Sequence, residues 1–494
     1  MRDKVTRSRQ LFAAATLCLS WVQGGDPAYG LQWDDLRRET ARLGVGMAAR
    51  LRYEWWKGLE AARAAEQSYD MVHLRVRPSL EYRGTTYSLF LQLQYAGTFD
   101  LPLVATSGPG QSYFTLSRPD DHPDAVDLIE CFLRARDFLL DGLSFTLGRQ
   151  GIKDGEEVLY GDAAFDRLKK SRLSERLVGT WDWTNVGRRY DALRVSYERR
   201  SFQLDAFAAK VLSGGFEYSG AYSQLDDVDL IGGVFTMKKD ALIPGSEVRF
   251  FHFYYRDDRQ SAREVTGGAL GLHTFGTSLV GLYPAGETGA LDTVLWASYQ
   301  WGDWGRQDQS AYAVIAEAGY QFRSIAAKPW LRVGMAHASG DQWPAGGHHT
   351  TFFDLTPTNH KFYGFMDTTA LSNLLNPYVQ LVCTPHPALE LLAEGNFFML
   401  HRSTDSWYAG SGPSRDDTFG YAGGYDTSTG QTKRLANGSA FVGSEIDVSL
   451  TYRPSKDLAF TGSYAHFFGA DGAKAVYPEE RNAHWVYAQL EATF

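Results

Sequence analysis

Cysteine is scarce in this chain of 494 residues, in which only Cys18, Cys131 and Cys383 are present. We expect the segment that contains Cys18 to be removed, so at most one disulfide could form, and no disulfide framework or zinc site follows. A basic excess is missing as well, because the formal net charge is −9. Proteins that bind nucleic acids take much of their affinity from a basic surface, and this charge therefore argues against a nucleic-acid partner.

Long apolar runs are also missing. After the amino-terminal segment no stretch offers the roughly 20 consecutive apolar residues that a membrane-spanning helix needs. Aromatic residues make up 14 % of the chain, charged residues 22 %, and there are 50 glycines, which fits neither a disordered chain nor a helical membrane protein. Membrane β-barrels have such a composition, because lipid-facing and lumen-facing side chains alternate and aromatic residues gather at the interfaces.

Neither a linker nor an internal repeat divides the chain, and a β-propeller would show a repeat of roughly 40 to 50 residues. We therefore predict two segments, a signal peptide over residues 1–30 and one closed domain over residues 31–494. The first segment has basic residues up to Arg9, an apolar stretch from Leu11 to Val22, and the small residues Ala28 and Gly30 before a cleavage point. This order is typical of secretory signal peptides.

Apolar and polar residues alternate with a period of two, which predicts β-strands. In the first such run one face carries Val45, Met47, Ala49, Leu51 and Tyr53, and the other carries Arg50, Arg52 and Glu54. A soluble β-sandwich would show the same alternation, so the pattern alone does not separate it from a membrane barrel. The last run does so better, because it ends in Phe494 and resembles the carboxyl-terminal sorting signal of outer-membrane barrels.

The connections alternate between short and long, as in outer-membrane barrels, which have short periplasmic turns and longer external loops. The short turns are predicted at residues 83–86, 139–142, 199–201, 241–245, 284–289, 325–328, 385–387 and 454–457, and the long loops at 100–125, 151–186, 213–227, 339–376 and 403–440. We therefore predict an all-β fold, a transmembrane antiparallel up-and-down β-barrel of about 18 strands in the bacterial outer membrane.

Arginine dominates the basic residues, since only 13 of the 49 are lysines. The alternation predicts that the lumen face carries Arg50, Arg52, Arg75, Arg77, Arg134, Arg194 and Arg332. A guanidinium pairs bidentately with carboxylates and keeps its charge, which suits a path for carboxylated solutes. Carboxylates such as Glu317 and Glu394 share that face, so each arginine is open to two interpretations, as a brace of the wall or as part of the path.

Three regions resemble the alginate export family. Leu147–Gln150 (LGRQ) and Gly187–Asp191 (GRRYD) resemble its GRQ and GRxxD motifs, Pro357–Asp367 (PTNHKFYGFMD) its long loop, and Tyr464–Phe468 (YAHFF) its last strands. The resemblance implies an eighteen-stranded monomeric barrel with an electropositive pore for an anionic polymer. By motif position it implies Arg149, Arg188 and Asp191 as site residues. The alternation of the strand conflicts with a lumen position for Arg149, because it places Arg149 on the lipid-facing side with Leu147 unless Gly148 allows a bulge.

The predicted function is a channel that passes an anionic polysaccharide such as alginate. A general or small-anion porin for uptake and a loop-based receptor remain alternatives. We expect no catalysis, no cofactor and no metal; His348 and His349, or Asp416, Asp417 and Asp426, are read as parts of external loops. The expected partners are outer-membrane lipids, the outer-membrane assembly machinery, and either the anionic polysaccharide or a small carboxylated solute. The predicted substrate path comprises Arg75, Arg77, Arg134, Arg149, Arg188, Asp191, Arg194 and Arg332.

Overall fold

The computed structural model describes residues 42–61, 68–103, 105, 107–116, 120–218, 222–342, 347–423 and 439–494. The predicted signal peptide, residues 1–30, lies outside these ranges, as does Asp426.

Within these ranges eighteen long strands, numbered β1 to β18, form one antiparallel sheet. In chain order they are Arg42–Glu60, Ser68–Arg83, Tyr87–Phe99, Asp124–Arg136, Leu143–Gln150, Tyr190–Glu198, Phe202–Leu212, Gln224–Met237, Ser246–Asp257, Leu270–Ala285, Gly289–Trp304, Gln307–Phe322, Trp330–Ala338, Leu374–His386, Leu389–Leu400, Phe441–Ser455, Leu458–Gly469 and Glu480–Thr493. Each strand is hydrogen-bonded to the next along the chain, which is the up-and-down order.

The sheet closes on itself because β1 pairs with both β2 and β18. Leu51 lies opposite Leu74 on one side and Leu490 on the other. The predicted fold, a closed barrel of about 18 antiparallel strands, is confirmed. Closure removes the unpaired strand edges that an open sheet would leave.

Short segments of other structure lie in the loops. The α-helices are Gly108–Leu116 (α1), Ala163–Leu168 (α2), Gln260–Thr266 (α3) and Asp471–Val476 (α4), with a π-helix over Lys169–Leu173, a 3₁₀ turn over Asn359–Lys361, a two-residue strand His348–His349 and a small pair of strands, Tyr408–Gly410 and Tyr421–Gly423. Among the residues that the structure describes, no helix is both long enough and apolar enough to cross a bilayer.

The connections follow the predicted alternation. All eight predicted short turns join consecutive strands, from the turn after β2 to the turn after β16. The sequence missed four external connections, after β1, after β9 (where α3 lies), after β11 and after β17 (where α4 lies), because all four are short for external loops.

The two faces of the sheet differ in exposure as the alternation predicts. On β1 the side chains of Arg50, Arg52 and Glu54 are buried. Tyr53, which lies between Arg52 and Glu54 in the chain, points to the other face and is 40 % exposed. Leu133, Leu147 and Leu193 are among many apolar side chains exposed on the outward face. An apolar surface that surrounds the molecule is a surface for lipid, since soluble proteins rarely leave patches of this extent in water.

Three loops lie in the lumen: residues 151–189, which we call the crossing loop; the described residues 339–342 and 347–373, which we call the second loop; and residues 401–423. The crossing loop buries Phe165, Leu168 and Leu177 completely. Backbone hydrogen bonds join it to the second loop, from Thr356 N to Leu177 O at 2.9 Å and from Gly179 N to Thr356 O at 2.8 Å. The barrel therefore encloses a packed inner layer.

Candidate functional site

Three arginines lie side by side on the inner face of β1 and β2. Arg50 and Arg75 are register partners, and Arg77 is two residues further along β2. Arg50 Nη1 and Arg75 Nη1 each donate to the carbonyl oxygen of Asp182 at 3.0 Å. Arg77 Nη2 donates to Oδ1 of the same aspartate at 2.8 Å. The three guanidinium groups therefore hold the end of the crossing loop against the wall.

Asp182 is the carboxylate at the centre of this group, and its side chain is 31 % exposed. Arg189 Nη1 also lies 3.3 Å from its Oδ1. Burial opposes the charged form, but Arg189, Arg77 and Arg75 outweigh that effect and hold the pKa of Asp182 well below its usual range. The carboxylate therefore stays ionised through the whole neutral range.

Positive charge exceeds negative charge around Asp182. Arg50, Arg75, Arg77 and Arg189, which we call the arginine cluster, face Asp182 and Glu130, and Arg189 Nε donates to Glu130 Oε1 at 2.7 Å. Lys153 adds a further cation from the same loop. Burial opposes its charge, but Glu175 and Asp182 outweigh this effect and raise the pKa of Lys153. An anion that enters this region meets uncompensated positive charge.

The other end of the crossing loop binds the opposite wall through buried ion pairs. Arg172 Nε and Nη2 donate to the two carboxylate oxygens of Glu317 on β12, at 2.8 and 3.0 Å. Arg176 Nη2 donates to the same carboxylate at 2.8 Å, and Lys169 Nζ lies 2.6 Å from Glu247 on β9. Since β1 and β12 lie on different sides of the barrel, the loop crosses the lumen.

A stack of rings connects the crossing loop with the second loop. The guanidinium carbon of Arg52 lies 3.7 Å from the ring centre of Trp183. His360 stacks on the Trp183 ring with centroids 3.5 Å apart and planes 8° from parallel. Asp367 Oδ2 lies 2.9 Å from His360 Nδ1. The barrel wall, the crossing loop and the second loop are thus in contact at one point, which holds both loops in place beside the arginine cluster.

The model of one protein family, alginate export, matches residues 40–487. The chain belongs to the alginate export family. No curated protein matches the chain at the sequence level.

Solved outer-membrane proteins share the fold of this alginate export family member. OpdK of Pseudomonas aeruginosa, crystallised with vanillate, is 9 % identical with a TM-score of 0.56, over 91 % of this chain and 98 % of that one. OccAB3 of Acinetobacter baumannii is 9 % identical with a TM-score of 0.57, over 91 % and 99 %. A BenF-like porin of Pseudomonas fluorescens Pf-5 is 10 % identical with a TM-score of 0.57, over 92 % and 99 %.

Family and fold together make this protein an outer-membrane β-barrel of the channel type, located in the bacterial outer membrane. Identities of about a tenth show the fold alone and carry no substrate. The chemistry of the site therefore has to come from the residues of this alginate export family member.

Five of the eight residues predicted for the substrate path lie on the inner face of the strands. Arg75 and Arg77 belong to the arginine cluster. Arg194 Nη2 pairs with Asp205 Oδ1 at 2.7 Å, and Arg332 Nη2 pairs with Asp292 Oδ1 at 2.8 Å.

Arg134, the fifth, has a simpler environment. Its Nε donates to Thr146 Oγ1 at 3.2 Å, and it has no ion pair within the described residues. It is therefore a cation on the inner face that forms an ion pair with no carboxylate of the described residues.

Arg188 lies in the crossing loop and is 1 % exposed. Its Nη2 donates to the carbonyl oxygens of Ser411 at 2.6 Å and Pro413 at 3.2 Å, and its guanidinium lies 4.7 Å from the ring centre of Trp181. Burial lowers the pKa of Arg188, opposed by nearby tyrosines. This arginine of the GRxxD motif therefore holds the crossing loop and the loop 401–423 together.

The predicted lumen position of Arg149 and Asp191 is wrong, because both lie on the outward face. Arg149 follows Leu147, which is 60 % exposed, and the pairing with β4 continues without a shift through Gly148. Gly148 has a φ of 122°, but it forms no bulge and does not change the face on which Arg149 lies. Arg149 Nε and Nη2 bind the two oxygens of Asp191 at 2.8 and 3.2 Å. The pair joins β5 to β6 near their external ends.

Several functional residues were missed by sequence reasoning. Asp182, Arg189 and Lys153 lie in a loop, where no alternation indicates which way a side chain points. Arg249, to which alternation assigns no face because Phe250 and Phe251 both follow it, lies inward, and its Nη2 donates to Asp154 Oδ1 at 2.6 Å. The charged run from Lys169 to Arg176 was visible in the sequence, but its partners on the far wall were not.

In the described part of the chain, no group of three or more histidine, cysteine, aspartate or glutamate residues is placed to hold a metal ion. Cys131 and Cys383 are both free thiols, on β4 and β14.

Proposed function

We propose that this protein passes anionic, carboxylate-bearing saccharides, of which a uronate polymer such as alginate is the expected substrate, by passive diffusion and without catalysis. The observation that supports the proposal is the arginine cluster with Lys153 around Asp182, at the point where the crossing loop meets the wall. A channel needs attraction that is strong enough for entry and weak enough for release. Asp182 and Glu130 reduce the positive charge without cancelling it.

The same geometry also favours a second candidate, a channel for small carboxylated solutes. The lumen is filled by three packed loops, and the crossing loop is held at both ends, which leaves little room for a wide solute. Vanillate, the molecule with which OpdK was crystallised, is a small carboxylate. We place this candidate second, because the family to which the chain belongs is that of alginate export.

Single-channel recording of the refolded protein in a planar bilayer tests the proposal. We expect a reversal potential that shows anion preference, and block of the current by oligouronates added from one side. Lys153→Gln removes one cation from the site without adding a charge, and should reduce both effects. Lys456→Gln, in the turn after β16, is the matched control and should change neither.

Each outcome has a definite meaning. Block by oligouronates favours the polysaccharide channel, whereas anion preference with block only by small aromatic carboxylates favours the second candidate. A cation-selective barrel would contradict both. Binding of oligouronates without conductance would favour a loop-based receptor, and size measurement in detergent would test the expected monomer.

A further inference from the structure

Three pairs of histidines lie on the outward face of the barrel, each near the external end of its strands. The pairs are His252 with His273 on β9 and β10, His337 with His401 beside β13 and β15, and His466 with His484 on β17 and β18. Of these residues, His401 is hydrogen-bonded to the second loop, through Gly340 N and Asn373 O. Imidazole is the side chain that most often binds first-row transition metals, so each pair offers two candidate metal ligands.

Two of the pairs are arranged for other contacts. His252 and His273 are nearly parallel, with planes 10° apart, centroids 5.3 Å apart and nitrogens 3.2 Å apart, so one ring donates in line to the other. His337 and His401 meet edge to face at 85°, and His401 Nδ1 already accepts a hydrogen bond from Gly340 N at 3.0 Å. In the first pair the two nitrogens are thus placed for a hydrogen bond to each other, and in the second pair one nitrogen already has a partner.

The third pair differs because three polar atoms crowd together. His466 and His484 are direct register partners, and their Nδ1 atoms lie 3.0 Å apart with ring planes at 47°. Tyr464 Oη lies 2.9 Å from the same Nδ1 of His484. A neutral imidazole nitrogen has one lone pair or one proton. A single nitrogen therefore cannot make two good hydrogen bonds to these neighbours at once.

The separation of the two nitrogens matches that of two ligands on one metal ion. Donors at about 2.0–2.1 Å from a metal, with an angle of about 90–110° between them, lie about 2.9–3.4 Å apart. The observed 3.0 Å falls within that interval, and so does the 3.2 Å between His252 and His273. The third pair is distinguished by its ring planes, which are inclined at 47° and not at 10°, and by Tyr464 Oη as a third polar atom at 2.9 Å. We propose that His466 and His484, with Tyr464 as a third donor, form a site for a first-row divalent transition metal of the Zn²⁺, Cu²⁺ or Ni²⁺ class.

The position of the site favours access from outside the cell. β17 ends at Gly469 and β18 begins at Glu480, so both histidines lie within a few residues of the external loop. Tyr464 is 40 % exposed and Phe468, which contacts His466 edge to face at 4.0 Å, is 45 % exposed. Water supplies the remaining ligands at such an open position. A bound ion would join two neighbouring strands at the external rim, beside the pair in which the barrel closes.

Titration of the refolded, tag-free barrel with Cu²⁺ and with Zn²⁺ tests the site. We expect saturable binding of one ion, and for Cu²⁺ an electron paramagnetic resonance spectrum that shows coupling to two nitrogens. His466→Ala and His484→Ala should each weaken binding at least tenfold. His252→Ala, from a histidine pair of different geometry, is the matched control and should leave binding unchanged.

Thermal unfolding gives a second readout that does not depend on spectroscopy. A ligand that binds the folded state alone raises its stability. Zn²⁺ should therefore raise the Tm of the wild-type protein and of His252→Ala, but not of His466→Ala or His484→Ala, and the heat-dependent gel mobility of all four would show that each is folded. Absence of saturable binding, or equal binding by all four proteins, would overturn the proposal.

Discussion

Arginines on the inner wall fall into two kinds according to what their guanidinium groups contact. Arg332 is 2 % exposed and binds Asp292, with Gln380 Oε1 at 3.3 Å from its Nη1. Within the part of the chain that the structure describes, Arg134 donates only to the hydroxyl of Thr146. The first kind stabilises the wall, because removing one member leaves a buried charge without its partner. The second kind is free to act on a solute.

This difference predicts opposite effects of two substitutions. Arg332→Ala should lower the free energy of unfolding by about 3–5 kcal/mol, since it breaks a buried ion pair. Arg134→Ala should leave stability unchanged and lower the ratio of anion to cation permeability by up to about five-fold, which corresponds to about 1 kcal/mol for one charge in water at 4 Å. Thermal unfolding in detergent and reversal potentials measure the two effects. The classification would be wrong if Arg134→Ala unfolded as readily as Arg332→Ala.

At the scale of elements, the crossing loop behaves as part of the wall. Arg172 and Arg176 share Glu317 on one side, and Arg50, Arg75 and Arg77 hold residues 182–186 on the other. Ion pairs of this kind contribute geometry more than net stability, because desolvation of the charges offsets much of their attraction. Their effect is to keep the loop at a defined depth in the lumen.

The second loop contains a carboxylate that makes the stability of the protein depend on pH. Asp354 is fully buried, and its Oδ2 accepts from Leu371 N at 3.0 Å and Asn359 Nδ2 at 3.1 Å. Burial raises its pKa to about 6, opposed by these hydrogen bonds. The folded pKa lies above the unfolded value of about 3.9. The favourable contribution is therefore complete below about pH 4 and is lost as the pH rises through about 6.

Asp354→Asn should remove this pH dependence. At pH 8 the variant should be more stable than the wild type by up to about 3 kcal/mol, which is two pKa units converted to free energy. At pH 4 the two proteins should have the same Tm, because Asp354 is then protonated. Unfolding temperatures across pH 4–8 measure the effect. Asp308→Asn, at a side chain that is 78 % exposed, is the control, and an equal rise in that variant would contradict the prediction.

At the scale of the whole molecule, the barrel is closed by the pairing of β1 with β18. The register runs without a shift from Ala48 opposite Thr493 to Gly58 opposite Ala483. Long, regular pairing at this position makes the seam equivalent to the other strand pairs. We therefore expect solutes to pass through the lumen and not through an opening between β1 and β18.

A disulfide across the seam tests this expectation. Leu51 and Leu490 are register partners on the outward face, so Leu51→Cys with Leu490→Cys should form a disulfide when Cys131 and Cys383 are replaced by serine. Conductance should be the same for the oxidised and the reduced protein, because the lumen is unaffected. Loss of current on oxidation and its recovery on reduction would show that the seam has to open. Leu51→Cys alone is the control.

Most of the barrel could be predicted from the sequence, because alternation is a local property. Whether a side chain on a strand points in or out depends on its neighbours two residues away, so Arg75, Arg77, Arg194 and Arg332 were placed on the inner face correctly. The same rule, applied strictly, also places Arg149 on the outward face with Leu147. The motif resemblance indicated the lumen instead, and there the local rule was the better guide.

The sequence by itself determined the closed barrel, its turns, and the arginine-rich inner face. Only the tertiary structure decided what those arginines do, because their partners are far away in the chain: Arg50 and Asp182 are 132 residues apart, and Arg172 and Glu317 are 145 apart. Such contacts form only when closure brings opposite walls within reach of one loop. No local pattern encodes that distance, so the crossing loop and its arginine cluster follow from the fold and not from periodicity.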